Sequence, residues 1–372
     1  MAQALKHIFS NEFYTFFLEH FSDIYPLDSQ KFMISIFDAE WEHKALKERI
    51  THTAHVLHDC INATYKETVD FFITYCNKIT HLQNSEWGLA SMFIPEYLRI
   101  YGIHDYETSM YAIEHITKHT SCEFAIREFI QVYPEKTMKQ MLKWSTHSHP
   151  AVRRLASEGC RSRLPWATQI PEFRKNQDRI IPILENLKAD ESVFVRKSVA
   201  NSLNDISKDN PQLALALCSE WKGFHKHTDW IIKHGLRTLL KQGNKEAFKL
   251  CGLSTSTACE LKELGLQGAS VNDSTPLHIW FKVTNTSTKK EKCRFEYALY
   301  FLRKNGDYSR KVFFIRETEL HAKTTMYIEK KHSFIARTKR LYYQGIQYVS
   351  CIVNGMESKK MAFNLMVQPH DR

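Results

Sequence analysis

The sequence predicts a mainly α-helical chain that ends in a small all-β domain. Three observations predict it. Apolar residues recur at helical spacing from about residue 4 to residue 252. A short motif returns after 43 residues, setting Val152-Arg153 over Val195-Arg196. From about Leu266 the apolar period drops to two. Helix pairs repeating at about 40 residues are the signature of HEAT-type arrays. The expected fold is therefore a HEAT-like α-solenoid over residues 1–255, then an immunoglobulin-like sandwich over 266–372, with Ser254–Gly265 as the junction.

The helical part divides at Pro26, the HLQNSE stretch at 81–86, Pro134 and His149-Pro150. Between these breaks, Ala63–Ile79, Trp87–Tyr101, Ser109–His119, Phe124–Tyr133 and Thr137–Trp144 place apolar residues at i, i+3, i+4 and i+7. Connections this short make successive helices antiparallel neighbours. HPAVRRLASEG at 149–159 then matches SVFVRKSVANS at 192–202, and DWIIKHGLRTLL at 229–240 is a weaker third copy. Each helix pair needs its neighbours to cover its apolar face, which is why such units stack. A non-repetitive helical bundle is the plain alternative. In the last hundred residues LHIWFKVTN, CRFEYALYFLR, RKVFFIRET, TMYIEK, YVSCIVN and MAFNLMV alternate apolar with polar residues. Asn305-Gly306-Asp307 and Asn354-Gly355 mark turns between them, the first at a hairpin tip. Six or seven such strands suit an immunoglobulin-like sandwich.

Composition narrows the function classes. No run reaches the ~20 apolar residues of a membrane span, and MAQALKHIFSNEF at the start has helical spacing and no signal-peptide core. The nine cysteines form no C-x-x-C pair, against zinc ribbons and iron–sulfur clusters, and unclustered thiols fit a reducing cytoplasm. His115 and His119 share a helical face without a third ligand at metal spacing, so neither metal nor cofactor is expected. The formal charge of +10 favours an anionic partner. Fifteen Lys and Arg against six Asp and Glu fall between Asn285 and Gly345.

Chemistry concentrates in two runs, RRLASEGCRSRLPWA at 153–167 and VRKSVANSLNDISKDNP at 195–211. Arg154, Glu158 and Arg161 share a face at i, i+4 and i+7, flanked by Arg153 and Arg163. The bland reading is a solvated face with one ion pair. Leu164-Pro165 ends the helix and delivers Trp166 into a connection, where routine core packing explains an indole less easily. The repeat sets Glu158 over Asn201, and Asp205 lies one turn beyond Asn201. Two carboxylates should thus project to one side from adjacent helices. Such a pair suits departure of a positively charged base: the leaving group needs little acid help, while negative charge steadies an oxocarbenium-like sugar and a carboxylate orients water. An indole meets a cationic base by cation–π attraction, and arginines hold phosphates.

In RRLASEGCRSRLPWA and SVANSLNDISKDNP the sequence resembles the AlkC branch of the AlkC/AlkD DNA glycosylases, along most of residues 1–250. The resemblance implies hydrolysis of the N-glycosidic bond of 3-methyladenine and 3-methylcytosine in double-stranded DNA, by a monofunctional enzyme that leaves the base unflipped. It also implies an immunoglobulin-like C-terminal domain, as a subset of these proteins has. By position, Glu158, Asp205 and Glu123 match acidic residues near the lesion and Trp166 the lesion-facing aromatic. Arg154 and Arg161 match phosphate ligands, with Arg153, Arg163, Lys197 and Asn204 as further DNA-binding candidates. Thr120-Ser121-Cys122-Glu123 also reads as a capping box, which would occupy Glu123 with backbone N–H groups. A cytoplasmic, nucleoid-associated monomer is expected. The competing readings are a non-enzymatic scaffold, which leaves the Glu158, Asp205 and Trp166 grouping as coincidence, and a structure-specific DNA binder.

Overall fold

The computed structural model of the chain describes residues 5–82, 85–268, 270–272, 274–335 and 341–366. Of the features named above, residues 1–4, Gln83, Asn84, Arg337, Lys339, Arg340 and Val367 lie outside the described residues. The described chain is helical to Leu250 and stranded from Cys259. It forms two compact units. One holds the residues up to Asn210 together with Gly223–Gly235, and the other holds Pro211–Lys222 and the residues from Leu236 onward. The division differs from the expected one, since the helices Pro211–Trp221, Arg237–Lys241 and Lys245–Leu250 group with the strands.

In the first unit, helices pack on later partners in a stacked series. Leu46–Cys60 lies on Phe93–Tyr101, Tyr65–Ile79 on Tyr106–Ile116, and Pro150–Gly159 on Val193–Asp209, which in turn meets Lys226–Gly235. The expected helix Trp87–Tyr101 breaks into Ser85–Ala90 and Phe93–Tyr101. Pro134 opens a helix at its first turn, where the missing N–H costs nothing, so Pro134–Trp144 begins three residues before the expected Thr137.

The repeat is structural as well as sequential. Val152 and Val195 are both fully buried. Arg153 donates through Nη1 to the carbonyls of His147 and Ser148 at 2.9 and 2.7 Å. Arg196 does the same 43 residues on, to Asp190 and Glu191, at 2.9 and 2.7 Å. Each arginine reaches back from the first turn of its helix to tie down the preceding loop. The weaker third copy is interrupted at Gly235-Leu236, between Lys226–Gly235 and Arg237–Lys241. A Cβ on Gly235 would stand 2.5 Å from the Leu203 side chain, so the close approach of these helices needs glycine there.

The second unit carries two sheets built from β1 (Cys259–Gln267), β2 (Ser270–Val271), β3 (Leu277–Asn285), β4 (Glu291–Leu302), β5 (Tyr308–Leu320), β6 (Thr325–His332), β7 (Gly345–Val353), β8 (Met356–Glu357) and β9 (Met361–Leu365). One sheet runs β1-β3-β6 and the other β2-β9-β7-β4-β5, with β8 paired to β7. Leu277, Ile279, Phe281 and Val283 of β3 share a core with Phe295 of β4 and Val349 of β7. Burial alternates strictly along β3 but not along β4, whose outer face is covered as well. There Arg294 pairs with Glu296 and Glu317 at 2.7 and 2.9 Å, all nearly inaccessible. The Asn354-Gly355 turn, with φ of 49° and 79°, joins β7 to β8, and its glycine packs against Gly243 of the helical segment. β1 occupies the stretch expected to be a junction.

No described helix is long and apolar enough to cross a membrane. Gly159 ends the helix Pro150–Gly159 where a Cβ would stand 2.6 Å from Ile126 Cγ2 and 3.0 Å from Met141 Cε. Gly159→Ala is expected to cost about 1–3 kcal/mol by overpacking, read as a lowered denaturant midpoint with an unchanged slope. An unchanged midpoint would mean that the two neighbouring side chains yield freely.

Candidate active site

The site begins where the helix Pro150–Gly159 stops. Pro150 takes its first position and the His149 ring accepts the Ala151 N–H at 3.2 Å. Val152, Leu155 and Ala156 bury one face, leaving Arg154 and Glu158 one turn apart. The sequence reading extends this helix through Arg161 to Leu164-Pro165. In the structure it ends at Gly159, and Arg161 lies beyond its end.

The turn there is formed around Arg127, from the helix Ala125–Val132. This guanidinium is wholly buried and donates to the carbonyls of Gly159, Arg161 and Thr168 at 2.8, 2.9 and 2.6 Å. Burial lowers its pKa to about 10, so it stays charged at neutral pH. A cation at the C-terminal end of a helix is also favoured by the helix dipole. Residues 160–168 therefore wrap a fixed charge. On that loop Trp166 adopts φ 64° and is 63% exposed. A left-handed backbone at a bulky residue costs energy that the surrounding contacts must hold.

Beyond the turn Arg161 folds between two helices. Its Nη1 donates to Glu158 Oε1 at 2.6 Å and its Nε to Asp205 Oδ2 at 2.9 Å. Arg161 is 7% exposed, Glu158 6% and Asp205 1%. Desolvation acts to pull the arginine's pKa down, yet the two carboxylates together leave it raised. Glu158 also faces Arg154 at 3.7 Å, and Arg154 pairs with Glu123 and with Ser121 Oγ. On the far side Lys208 reaches Asp205 Oδ1 at 3.3 Å. The result is a chain of alternating charge, Glu123–Arg154–Glu158–Arg161–Asp205–Lys208, drawn from three segments far apart in sequence. The nearest arginine contacts to Glu158 both fall on Oε1.

The structure thus brings Glu123, Glu158 and Asp205 into one network with Arg154 and Arg161. Most of the expected DNA-binding residues also have partners within the protein. Arg161 is held between two carboxylates. Arg153 is a loop tie, held also to Asp190 at 2.6 Å, and Asn204 is 2% exposed within the helix Val193–Asp209. Arg163 is half-exposed and pairs with Asp209. Lys197 is exposed on the helix surface. Glu123 caps nothing: the next helix starts at Ala125 without a side-chain cap, and the carboxylate turns to Ser121 and Arg154. The sequence reading missed Arg127, whose partners are main-chain carbonyls 32 to 41 residues away. It also missed Phe194, 52% exposed, with the Arg154 guanidinium 4.9 Å from its ring centre. Among the described residues, no group of three or more His, Cys, Asp or Glu could hold a metal ion.

Replacing Arg127 by Met removes all three carbonyl partners and is expected to destabilise the chain by about 2–4 kcal/mol. Thermal or denaturant unfolding measures it, and a loss under about 1 kcal/mol would show that the loop keeps its course unaided.

Residues 90–242 match the family described as DNA alkylation repair enzyme, and residues 260–367 match the family described as Uncharacterised protein YhaZ, C-terminal Ig-like domain. The chain is 36% identical over 362 residues to the uncharacterized protein YhaZ of Bacillus subtilis (strain 168), covering 97% of this chain and 99% of that one. Among solved structures, it is similar to the Pseudomonas fluorescens alkylpurine DNA glycosylase AlkC bound to DNA containing an abasic site analog. That match has a TM-score of 0.92 and 33% identity, and spans 98% of this chain and all of the other.

Proposed function

Because the chain belongs to the AlkC-type family of DNA alkylation repair glycosylases, we propose that it hydrolyses the N-glycosidic bond of cationic N3-alkylated bases, 3-methyladenine and 3-methylcytosine, in double-stranded DNA. On this reading it is a monofunctional enzyme acting as a monomer, with water as the nucleophile. The observation that carries the proposal is the shared grip of Glu158 and Asp205, from adjacent repeats, on the single guanidinium of Arg161.

Methylation at N3 leaves the base positively charged, so its departure neutralises it and needs no proton donor. The developing positive charge moves to the deoxyribose. Buried carboxylates already fixed in place stabilise that charge without reorganising. Arg161 sets their positions. Glu158 Oε2, unengaged by the arginines, is the acceptor assigned to the attacking water, and Asp205 and Glu123 supply the surrounding negative field.

Trp166 supplies selectivity. Its exposed indole offers a π face to a cationic base, worth ~0.5–2 kcal/mol and absent for a neutral one. Its station on an outward turn suits a base met within the duplex, and the proposal is that no extrusion occurs. Arg154, Arg163 and Lys197 are assigned to phosphates, each leaving part of its side chain accessible. Arg153, Arg161 and Asn204 are assigned to the framework.

The test is release of methylated bases from alkylated DNA, resolved by identity. Glu158→Gln and Asp205→Asn are each expected to slow release by at least about a hundredfold, with affinity for abasic-site duplex nearly unchanged. Equal loss of both would make these carboxylates binding or folding elements, and no release by the unaltered chain would favour a scaffold. Trp166→Ala is expected to slow release by roughly tenfold without weakening abasic-site binding. Loss of that binding would make the indole a general DNA contact.

A further inference from the structure

Two cysteines of the strand unit lie where the proposed chemistry has no use for them. Cys259 opens β1 and Cys293 lies near the start of β4, so they stand on different sheets, 34 residues apart in sequence. Their Sγ atoms are 2.9 Å apart, and both residues are buried, at 6% and 0% exposure. All nine cysteines are free thiols, and these two sulfurs directly face one another.

Two further features bear on their chemistry. Cys259 lines a cavity of about 530 Å³ walled by Leu261, Leu264, Val353, Met356 and Met361, large enough to admit a small oxidant. Behind Cys293, Asn354 fixes the other sulfur. Its Oδ1 accepts the Arg294 N–H at 2.8 Å and its Nδ2 points at Cys293 Sγ at 3.8 Å. One thiol is reachable and its partner is held in position to resolve it.

We propose that Cys259 and Cys293 are a redox-modification site, closing to an inter-sheet disulfide when a hydroperoxide enters the cavity. The Cys259 sulfur takes the distal peroxide oxygen to become a sulfenic acid, and the peroxide's O–O bond breaks. The thiol proton leaves with the released alcohol or water. Cys293 sulfur then attacks Cys259 sulfur and displaces hydroxide, which takes the Cys293 proton. Two thiols and one hydroperoxide give one disulfide, one alcohol and one water. The sulfurs need only close to the bonded distance of about 2.0 Å. The product staples β1 to β4 and closes a loop that the unfolded chain otherwise leaves open.

Hydrogen peroxide is the probe. The full-length native chain is exposed to it, remaining thiols are blocked, and the protein is digested without reduction. Mass spectrometry is expected to find the peptide carrying Cys259 joined to that carrying Cys293, and dithiothreitol to separate them. Thiols titrated after denaturation fall from nine to seven, and the melting temperature rises by several degrees. In Cys259→Ala the linked peptide and the temperature rise both disappear. Oxidation of the partly exposed Cys60 or Cys251 with no 259–293 link would overturn the proposal. So would a link that leaves the melting temperature unchanged, since the staple would then hold nothing.

Discussion

A buried arginine between two helices fixes the site's geometry by its need for counter-charge. Arg161 is all but removed from solvent, and an uncompensated guanidinium there would cost several kcal/mol. Glu158 and Asp205 offset that cost, and the arginine in turn is the closest cation to each of them. The three therefore fold as a unit. Their contacts set the spacing of Pro150–Gly159 against Val193–Asp209 together with the Ser157–Ser198 hydroxyl pair at 2.6 Å. A buried triad of this kind is weak as a source of stability, because hydrophobic residues of similar size serve as well. Its contribution lies in what it positions.

The same logic separates the arginines of the two repeats. Arg153 and Arg196 bind loop carbonyls in matching ways and are part of how a repeat is built. Arg127 binds carbonyls too, but those of the loop that carries Arg161 and Trp166. Scaffold and site thus use one device, a guanidinium on main-chain oxygens, for different ends. The repeat copies it, whereas the site uses it once, to turn the chain out of a helix and hold an indole at positive φ.

Much of this was legible in the letters. LHIWFKVTN gave β3 with its bounds intact because that strand has one dry face and one wetter face. The Val-Arg repeat led to Asp205, since helical periodicity carries a side chain from one repeat to the same side of the next. β1 was hidden because a bulge between Leu261 and Glu263 breaks its alternation. The helix end at Gly159 was hidden because the chain's course there depends on Arg127, which no local pattern connects to it. The partners of Arg161 were hidden for a related reason. Sequence shows that a residue is charged, but burial decides whether the charge faces a ligand or a neighbour.

The charge ladder also bears on how an acidic site tolerates DNA. Three bare carboxylates would repel a phosphate backbone at short range. Here Glu123, Glu158 and Asp205 are matched by Arg154, Arg161 and Lys208. At a distance beyond a Debye length of roughly 8–10 Å, such a row presents no net charge. The nearest arginine contacts to Glu158 both fall on Oε1, at 2.6 and 3.7 Å, so Oε2 is the less closely matched oxygen. A sugar brought against that oxygen, on the proposed reading, meets negative charge that the phosphates farther out do not. On the proposed reading, the arginines make the carboxylates compatible with a polyanion while leaving one acceptor for the reaction.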